Sequence, residues 1–378
     1  MSVQVSYKKQ TIFGIFLLSI MLIIVELFLQ IFPSNYECEF SNHEIFDKYS
    51  QIEKDNMCKE YSNVSYNYDT PIKRLNLQNG EYVNINSDGF RGDFINFQDQ
   101  SYRIFVLGGS TVFGYVTSSD EKTIPAILET KFNDKQTSVQ VINAGIPYAT
   151  TIDERYYVEQ NIVNYQPNLV IMYDGWNDIW HIEETKANIP YEIFSSNNAL
   201  ENNLLFVQSL EFKISRGLFY FFDQINYKTG LGVNQFLYDV FAKINSFQAN
   251  STQGENLEIS DKKLYQLENN IINNWSEVCD LGRINEFHVV NIIQPIFQTS
   301  TENYNNTLSI ESQYLKKLDI ERIKMESSCE NIIDLRETFS EFDESKIFFD
   351  AGHMSDRGNE IISKKLFEIS LPIVENTS

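Results

Sequence analysis

Three observations in the sequence predict an α/β fold: a three-layer α/β/α sandwich on a five-stranded, mainly parallel sheet, joined to an N-terminal transmembrane helix. Short apolar runs bounded by turn residues recur from Tyr102 onward, which is how strands buried on both faces read. Longer stretches carrying apolar residues at three- and four-residue steps separate them, as helices covering a sheet should. Ahead of both lies an apolar segment, residues 11–32, with only Glu26 and Gln30 as strongly polar interruptions.

The expected strands are residues 103–107, 139–143, 168–173, 288–293 and 331–335, each rich in Val, Ile or Phe. The expected helices are residues 123–132, 152–165, 260–281 and 355–369. Strand-helix alternation of this kind winds a parallel sheet on both faces, and ligands then collect outside the carboxyl ends of the strands.

The apolar segment 11–32 has the length of a bilayer-spanning helix. Lys8 and Lys9 precede it and Glu37, Glu39 and Glu44 follow, which puts residues 1–10 in the cytoplasm and the rest outside, as a single-pass cell-membrane protein. A cleaved signal peptide is the rival reading, but the run exceeds a usual signal core and no small-x-small site follows it. Glu26 is read either as contacting a membrane-protein partner or as snorkelling to the interface. Residues 33–100, rich in Tyr, Asn, Asp and Ser with an Asp88-Gly89 turn, are expected to form an irregular stalk and entry segment. The main domain is 101–378, interrupted after the third strand by residues 182–253, crowded with aromatics such as Phe219, Tyr220, Phe221 and Phe222. That insertion reads as a cap lining an acyl or sugar pocket, as a patch on the membrane, or as ordinary core.

A hydrophobic content of 42% with 14% aromatics is enough for a packed core, and a formal charge of −22 excludes nucleic acid as a partner by repelling its phosphates. Cys38, Cys58, Cys279 and Cys329 all lie beyond the apolar segment, which suits an oxidising compartment with two disulfides. Sequence proximity favours Cys38–Cys58 and Cys279–Cys329 among three pairings, with unpaired buried thiols as the alternative. No CxxC spacing points to a metal site, and no cofactor is implied. Sequons stand at Asn63, Asn250, Asn274, Asn305 and Asn376.

Only four histidines are present, His43, His181, His288 and His353, so the search for a general base is short. His353 has the convincing setting: it follows Asp350 by three residues in a Gly-containing loop before the last expected helix. His288 begins a strand, which makes it structural, and His43 and His181 read as surface positions. The first strand ends in Gly108-Gly109-Ser110-Thr111, placing a hydroxyl at a strand-to-helix turn. A serine becomes a nucleophile when an imidazole takes its proton and an acid orients that imidazole. Ser110, His353 and Asp350 fill the three roles. A P-loop would need Lys-Ser or Lys-Thr here, and the α/β-hydrolase elbow would need glycine where Val112 stands. A helix N-cap is the plain structural reading of Ser110.

Two further blocks follow in order. Asn143-Ala-Gly145 ends the second expected strand and Gly175-Trp-Asn177-Asp178 follows the third. The backbone N–H groups of Ser110 and Gly145 and the Asn177 amide are candidate donors to the oxyanion of a tetrahedral intermediate.

Gly-x-Ser110, the Gly145 loop, Gly175-x-Asn177-Asp178 and Asp350-x-x-His353 together resemble the four signature blocks of SGNH (GDSL-like) hydrolases, in that family's order across residues 84–370. The segment Asn86-Ser-Asp-Gly89-Phe-Arg-Gly92 also resembles a lead-in found in some members. The resemblance implies a serine nucleophile with a His base and Asp orienting acid, an oxyanion hole from Ser110, Gly145 and Asn177, and an ester substrate. The first block reads Gly-Gly-Ser where the name-giving pattern has Gly-Asp-Ser, which bears on subfamily and substrate. Three functions are carried forward. The first is hydrolysis of an extracytoplasmic ester, either a glycan O-acetyl or a lipid acyl group. The second is O-acyl transfer to a surface glycan, and the third is a non-catalytic subunit of a membrane assembly.

Overall fold

In a computed structural model the chain divides into two units, Met1–Glu37 with Leu204–Leu257, and Cys38–Asn203 with Glu258–Ser378. The structure describes residues 7–31, 43–67, 74–96, 101–135, 137–179, 260–297 and 310–377. In the first unit these comprise one helix, α1 (Tyr7–Ile31). The transmembrane helix expected at residues 11–32 falls on it. Among the described residues no helix is long and apolar enough to cross a membrane. Side chains along α1 are described as far as Met21. Glu26 lies beyond that point, and the 182–253 insertion and His181 lie outside the described residues.

The second unit holds α2 (Gln51–Ser62), a small antiparallel pair β1 (Tyr66–Asn67) and β2 (Arg74–Leu75), then the alternating core. That core runs β3 (Tyr102–Gly108), α3 (Ser110–Phe113), α4 (Ile124–Asp134), β4 (Val139–Gly145), α5 (Thr151–Gln160) and β5 (Leu169–Asp174). It continues with α6 (Asp261–Asn285), β6 (His288–Ile293), α7 (Ile310–Lys317), α8 (Ile320–Glu326), β7 (Ile332–Asp334) and α9 (Asp356–Thr377). The five long-range strands form one parallel sheet in the order β4-β3-β5-β6-β7.

Period-two alternation sends successive side chains to opposite faces. On β3, Ile104 and Val106 pack with Leu128 and Phe132 of α4 and Ile362 and Leu366 of α9. Phe105 and Leu107 face the other way, into a layer with Tyr157 of α5 and Ile271, Trp275 and Val278 of α6. Helices start where the sequence supplies caps. Ser50 and Glu53 close a capping box on α2, Thr150 and Asp153 do so on α5, and Thr123 accepts from the Ala126 N–H at the start of α4.

The described residues of the 33–100 stretch, 43–67 and 74–96, are not the irregular stalk the sequence suggests. Met57, Cys58 and Tyr61 of α2, with Tyr82, Val83, Ile85 and Phe90, are buried in the same cluster as Phe105 and Leu107. Side chains satisfy this segment's backbone in place of regular ladders, which is why no periodicity shows. The Glu60 carboxylate accepts the N–H groups of Tyr82 and Val83 at 2.8 and 2.9 Å, and Asp120 accepts that of Asn84 at 3.1 Å.

Cys279 on α6 is bonded to Cys329 before β7. Cys58 is also in a disulfide, and its expected partner Cys38 lies outside the described residues. Asn63 and Asn376 are exposed. Asn274 is a correction: it is 7% exposed and its amide donates to Thr151 Oγ1 at 3.1 Å, so a glycan has no room there. Asn250 and Asn305 are outside the described residues.

Candidate active site

The carboxyl ends of β3, β4 and β5 open on one edge of the sheet, paired in register through Gly108 with Gly145 and Gly108 with Tyr173. The loop before α9 reaches the same edge. Ser110 is the first residue of α3, while the N-cap position is Gly109 and makes no side-chain cap bond. The capping reading of Ser110 is therefore set aside, and its hydroxyl is directed elsewhere.

That hydroxyl lies 2.7 Å from His353 Nε2, and His353 Nδ1 lies 2.6 Å from Asp350 Oδ2. A carboxylate can only accept, so Nδ1–H donates to Asp350 and the lone pair of Nε2 accepts from the Ser110 hydroxyl. Asp350 is fixed in turn by the backbone N–H groups of Gly352 and His353, which donate to Oδ1 at 2.9 and 2.8 Å. Burial by itself raises the Asp350 carboxyl, but the His353 side chain and these two amides outweigh it and hold the group below the usual carboxylate range. Thus the structure brings Ser110 onto the Asp350–His353 pair across a sequence separation of 243 residues.

The oxyanion donors are treated unequally. Asn177 Nδ2 donates one hydrogen to Ala149 O at 2.6 Å, leaving its second for a ligand. A Cβ built at Gly109 would collide with that same Nδ2, so the amide occupies the space that a side chain at position 109 would need. The Gly145 N–H differs from the expectation. It donates to Asn143 Oδ1 at 3.1 Å, because the Asn143 side chain folds back along its own strand, so this N–H is already engaged within the protein.

Asp178, the last residue of the third block, is buried and accepts from the Thr151 hydroxyl at 2.7 Å, tying the Asn177 loop to the start of α5. Beneath it sit two more buried carboxyls. Burial foremost, then the charge of Asp178, pushes Asp174 up to about 7, although Trp275 Nε1–H donates to it at 2.7 Å and acts the other way. Burial and the neighbouring Asp174 also raise Glu154 well above the carboxylate range.

Sequence reasoning missed Arg91, Tyr115 and Trp176. Arg91 is the cationic member of the lead-in segment, and its side chain is fully buried. It donates to Asp120 Oδ1, to the carbonyls of Phe113 and Gly114 at the end of α3, and to the carbonyl of Tyr82. Tyr115 and Trp176 lie against His353, with ring centroids 4.8 and 5.0 Å away. Trp176 was legible as the variable residue of the third block and Arg91 as a member of the lead-in segment, while Tyr115 carried no signal beyond proximity to the first block. His43 is also not a free surface residue. Its Nδ1 accepts from the Ile45 N–H, and its ring packs on Phe349.

No family model matches the chain, and no protein of curated function matches it. Solved structures to which it is similar include an acetyl xylan esterase, AlAXEase, at 13% identity and a TM-score of 0.40, covering 71% of this chain and 98% of that one. Another is a putative lipolytic protein of the G-D-S-L family from Desulfitobacterium hafniense DCB-2, at 12% identity and a TM-score of 0.35, covering 71% and 99%. A third is a lipase/acylhydrolase from Enterococcus faecalis, at 14% and 0.39, covering 71% and 95%. Scores this low add no weight to the residue-level case. In its motif blocks and its Ser-His-Asp geometry the chain is similar to the SGNH (GDSL-like) hydrolases.

Proposed function

We propose that this protein is a serine-dependent ester hydrolase of the SGNH type, working through an acyl-serine intermediate. The observation that carries the reading is the continuous relay Ser110 Oγ, His353 Nε2, His353 Nδ1, Asp350 Oδ2, with both links within hydrogen-bond distance.

Ser110 Oγ attacks the ester carbonyl carbon while its proton passes to His353 Nε2, and the carbonyl oxygen becomes an oxyanion. The free hydrogen of Asn177 Nδ2 and the Ser110 N–H, at the first helical position where no intrahelical acceptor exists, are the donors available to it. Collapse of the tetrahedral species breaks the bond to the leaving alcohol oxygen, which takes the proton from Nε2. Water then attacks the acyl-serine by the same route, giving its proton to Nε2 and releasing the carboxylic acid and a regenerated Ser110. Asp350, held anionic, supports the imidazolium at both stages.

The substrate proposed is an extracytoplasmic ester, a glycan O-acetyl or a lipid acyl group, with the protein held at the membrane by its N-terminal segment. The disulfide Cys279–Cys329 supports an oxidising compartment, and the apolar run of residues 11–32 supports the anchor. Hydrolysis of p-nitrophenyl esters of graded acyl length by the purified protein tests the chemistry. Turnover abolished by Ser110→Ala is the result expected, and turnover that survives it refutes the reading. Retention of the full chain in the membrane pellet after alkaline carbonate extraction is expected, and release into the supernatant refutes the anchor.

A further inference from the structure

We propose that Tyr115 and Trp176 are positioning residues for His353: their rings pack against the imidazole and keep Nε2 on the reacting oxygens through both halves of the cycle. This rests on the reading of Ser110 as nucleophile. The two hydrogen bonds to the imidazole lie in its plane and secure it along the line from Asp350 to Ser110. They do little against tilting about that line. The bond to Ser110 is also temporary, because once Oγ is bonded to the acyl carbon, Nε2 must carry its proton to the leaving oxygen and later receive one from water. During those steps Asp350 is the one hydrogen-bonding partner that stays in place. What limits the swing of the ring is then its packing.

That packing comes from two elements. Tyr115, just after α3, meets the imidazole at 4.8 Å with a 56° interplanar angle, and Trp176, just after β5, meets it at 5.0 Å with a 73° angle. With both rings in place the His353 side chain is only 12% exposed.

The chain carries features that these contacts require. A Cβ at Gly352 would overlap the Trp176 indole, so the residue beside His353 has no side chain where the indole lies. The carbonyl of that glycine accepts from Thr111 Oγ1 at 3.1 Å, which locks the loop to α3. The turn bearing Tyr115 is strained: Val116, a β-branched residue, adopts φ 66°, which such residues rarely do. Neighbours over-determine it. The single Tyr61 O–H is shared between the carbonyls of Gly114 and Thr117 at 2.9 and 2.8 Å, Arg91 donates to the Gly114 carbonyl at 2.8 Å, and the Tyr61 ring packs on Tyr115 at 5.2 Å. Strain maintained beside a reacting group is a sign of pre-organisation.

Steady-state hydrolysis of a p-nitrophenyl ester by the full chain tests this with Trp176→Ala, Trp176→Phe, Tyr115→Leu and Tyr115→Phe. A misplaced base costs up to about 100-fold, so Trp176→Ala and Tyr115→Leu are expected to lower kcat by about 10- to 100-fold with KM changed less than about threefold. The two Phe variants, which keep a ring, are expected to recover most of the loss. Tyr115→Leu carries the test if Trp176→Ala does not fold. Unchanged kcat in the ring-deleting variants overturns the proposal, and so does a loss that appears in KM alone or that Phe fails to rescue. A wild-type protein inactive on every ester overturns the hydrolase reading and this proposal with it. An active wild type with indifferent variants overturns this proposal alone.

Discussion

Replacing Arg91 by Met removes the cation that joins the entry segment to the helix bearing Ser110, while keeping an unbranched side chain of similar reach. The guanidinium is fully buried and donates to Asp120 Oδ1 at 2.7 Å, to the carbonyls of Phe113, Gly114 and Tyr82 at 2.8–2.9 Å, and to the Tyr61 hydroxyl at 3.3 Å. Breaking a buried ion pair from one side costs about 3–5 kcal/mol. The environment places this case near the lower end. Asp120 is 16% exposed and keeps its bonds from Asn84, while the Phe113 and Gly114 carbonyls keep donors in Asn143, Tyr61 and Thr117. The Tyr82 carbonyl is left without that partner, adding about 1–3 kcal/mol for a buried acceptor. Arg91→Met is therefore expected to lose at least about 3 kcal/mol, read as a fall of roughly 1 M or more in the urea midpoint at m values near 2–3 kcal/mol/M. Arg91→Lys recovers little, because one ammonium cannot reach the acceptors that the planar fork spans. A loss below about 1 kcal/mol for Met, or wild-type stability for Lys, refutes this account of the entry segment.

Other expectations follow from the same geometry. Asp350→Asn leaves the loop in place but turns the imidazole to the wrong tautomer, so kcat is expected to fall by about 10⁴-fold, as in other triads; steady-state assays showing less than tenfold would contradict the orienting role. Gly109→Ala forces the Asn177 amide aside and is expected to cost about 100-fold in kcat, the scale of one lost oxyanion donor, with little change in thermal midpoint. The raised Asp174 makes a pH prediction. A carboxyl whose folded pKa of about 7 exceeds its ordinary value of 3.8 favours the native state below the lower value and loses that contribution as pH rises through the upper one. Denaturation midpoints of Asp174→Asn, measured at pH 5 and pH 8, should therefore fall less over that interval than those of the wild type. Parallel profiles would show that the buried carboxyl does not hold its proton.

Much of the core and site was legible because local rules and the global fold agree. The strands at 103–107, 139–143 and 288–293 carry β-branched and aromatic residues on both faces and lie within Tyr102–Gly108, Val139–Gly145 and His288–Ile293. The relay was legible because its members sit at strand ends and in a loop before a helix, where a wound sheet gathers function. The entry segment was not legible, since its backbone is satisfied by Glu60, Asp120 and Arg91 instead of by a periodic ladder. Donors were legible as residue types but not as vacancies: nothing in Asn143-Ala-Gly145 announces that the Asn side chain takes the Gly145 N–H. Burial at Asn274 was hidden for a related reason, because a sequon specifies three residue types and says nothing of the helix face they occupy.

Reaction of the purified protein with a fluorophosphonate, followed by peptide mass mapping, tests the convergence of Ser110, His353 and Asp350 most directly. A single stoichiometric adduct on Ser110, formed at least 100-fold more slowly in His353→Ala, is the result predicted. An adduct on another residue, or equal labelling rates with and without the imidazole, would contradict it.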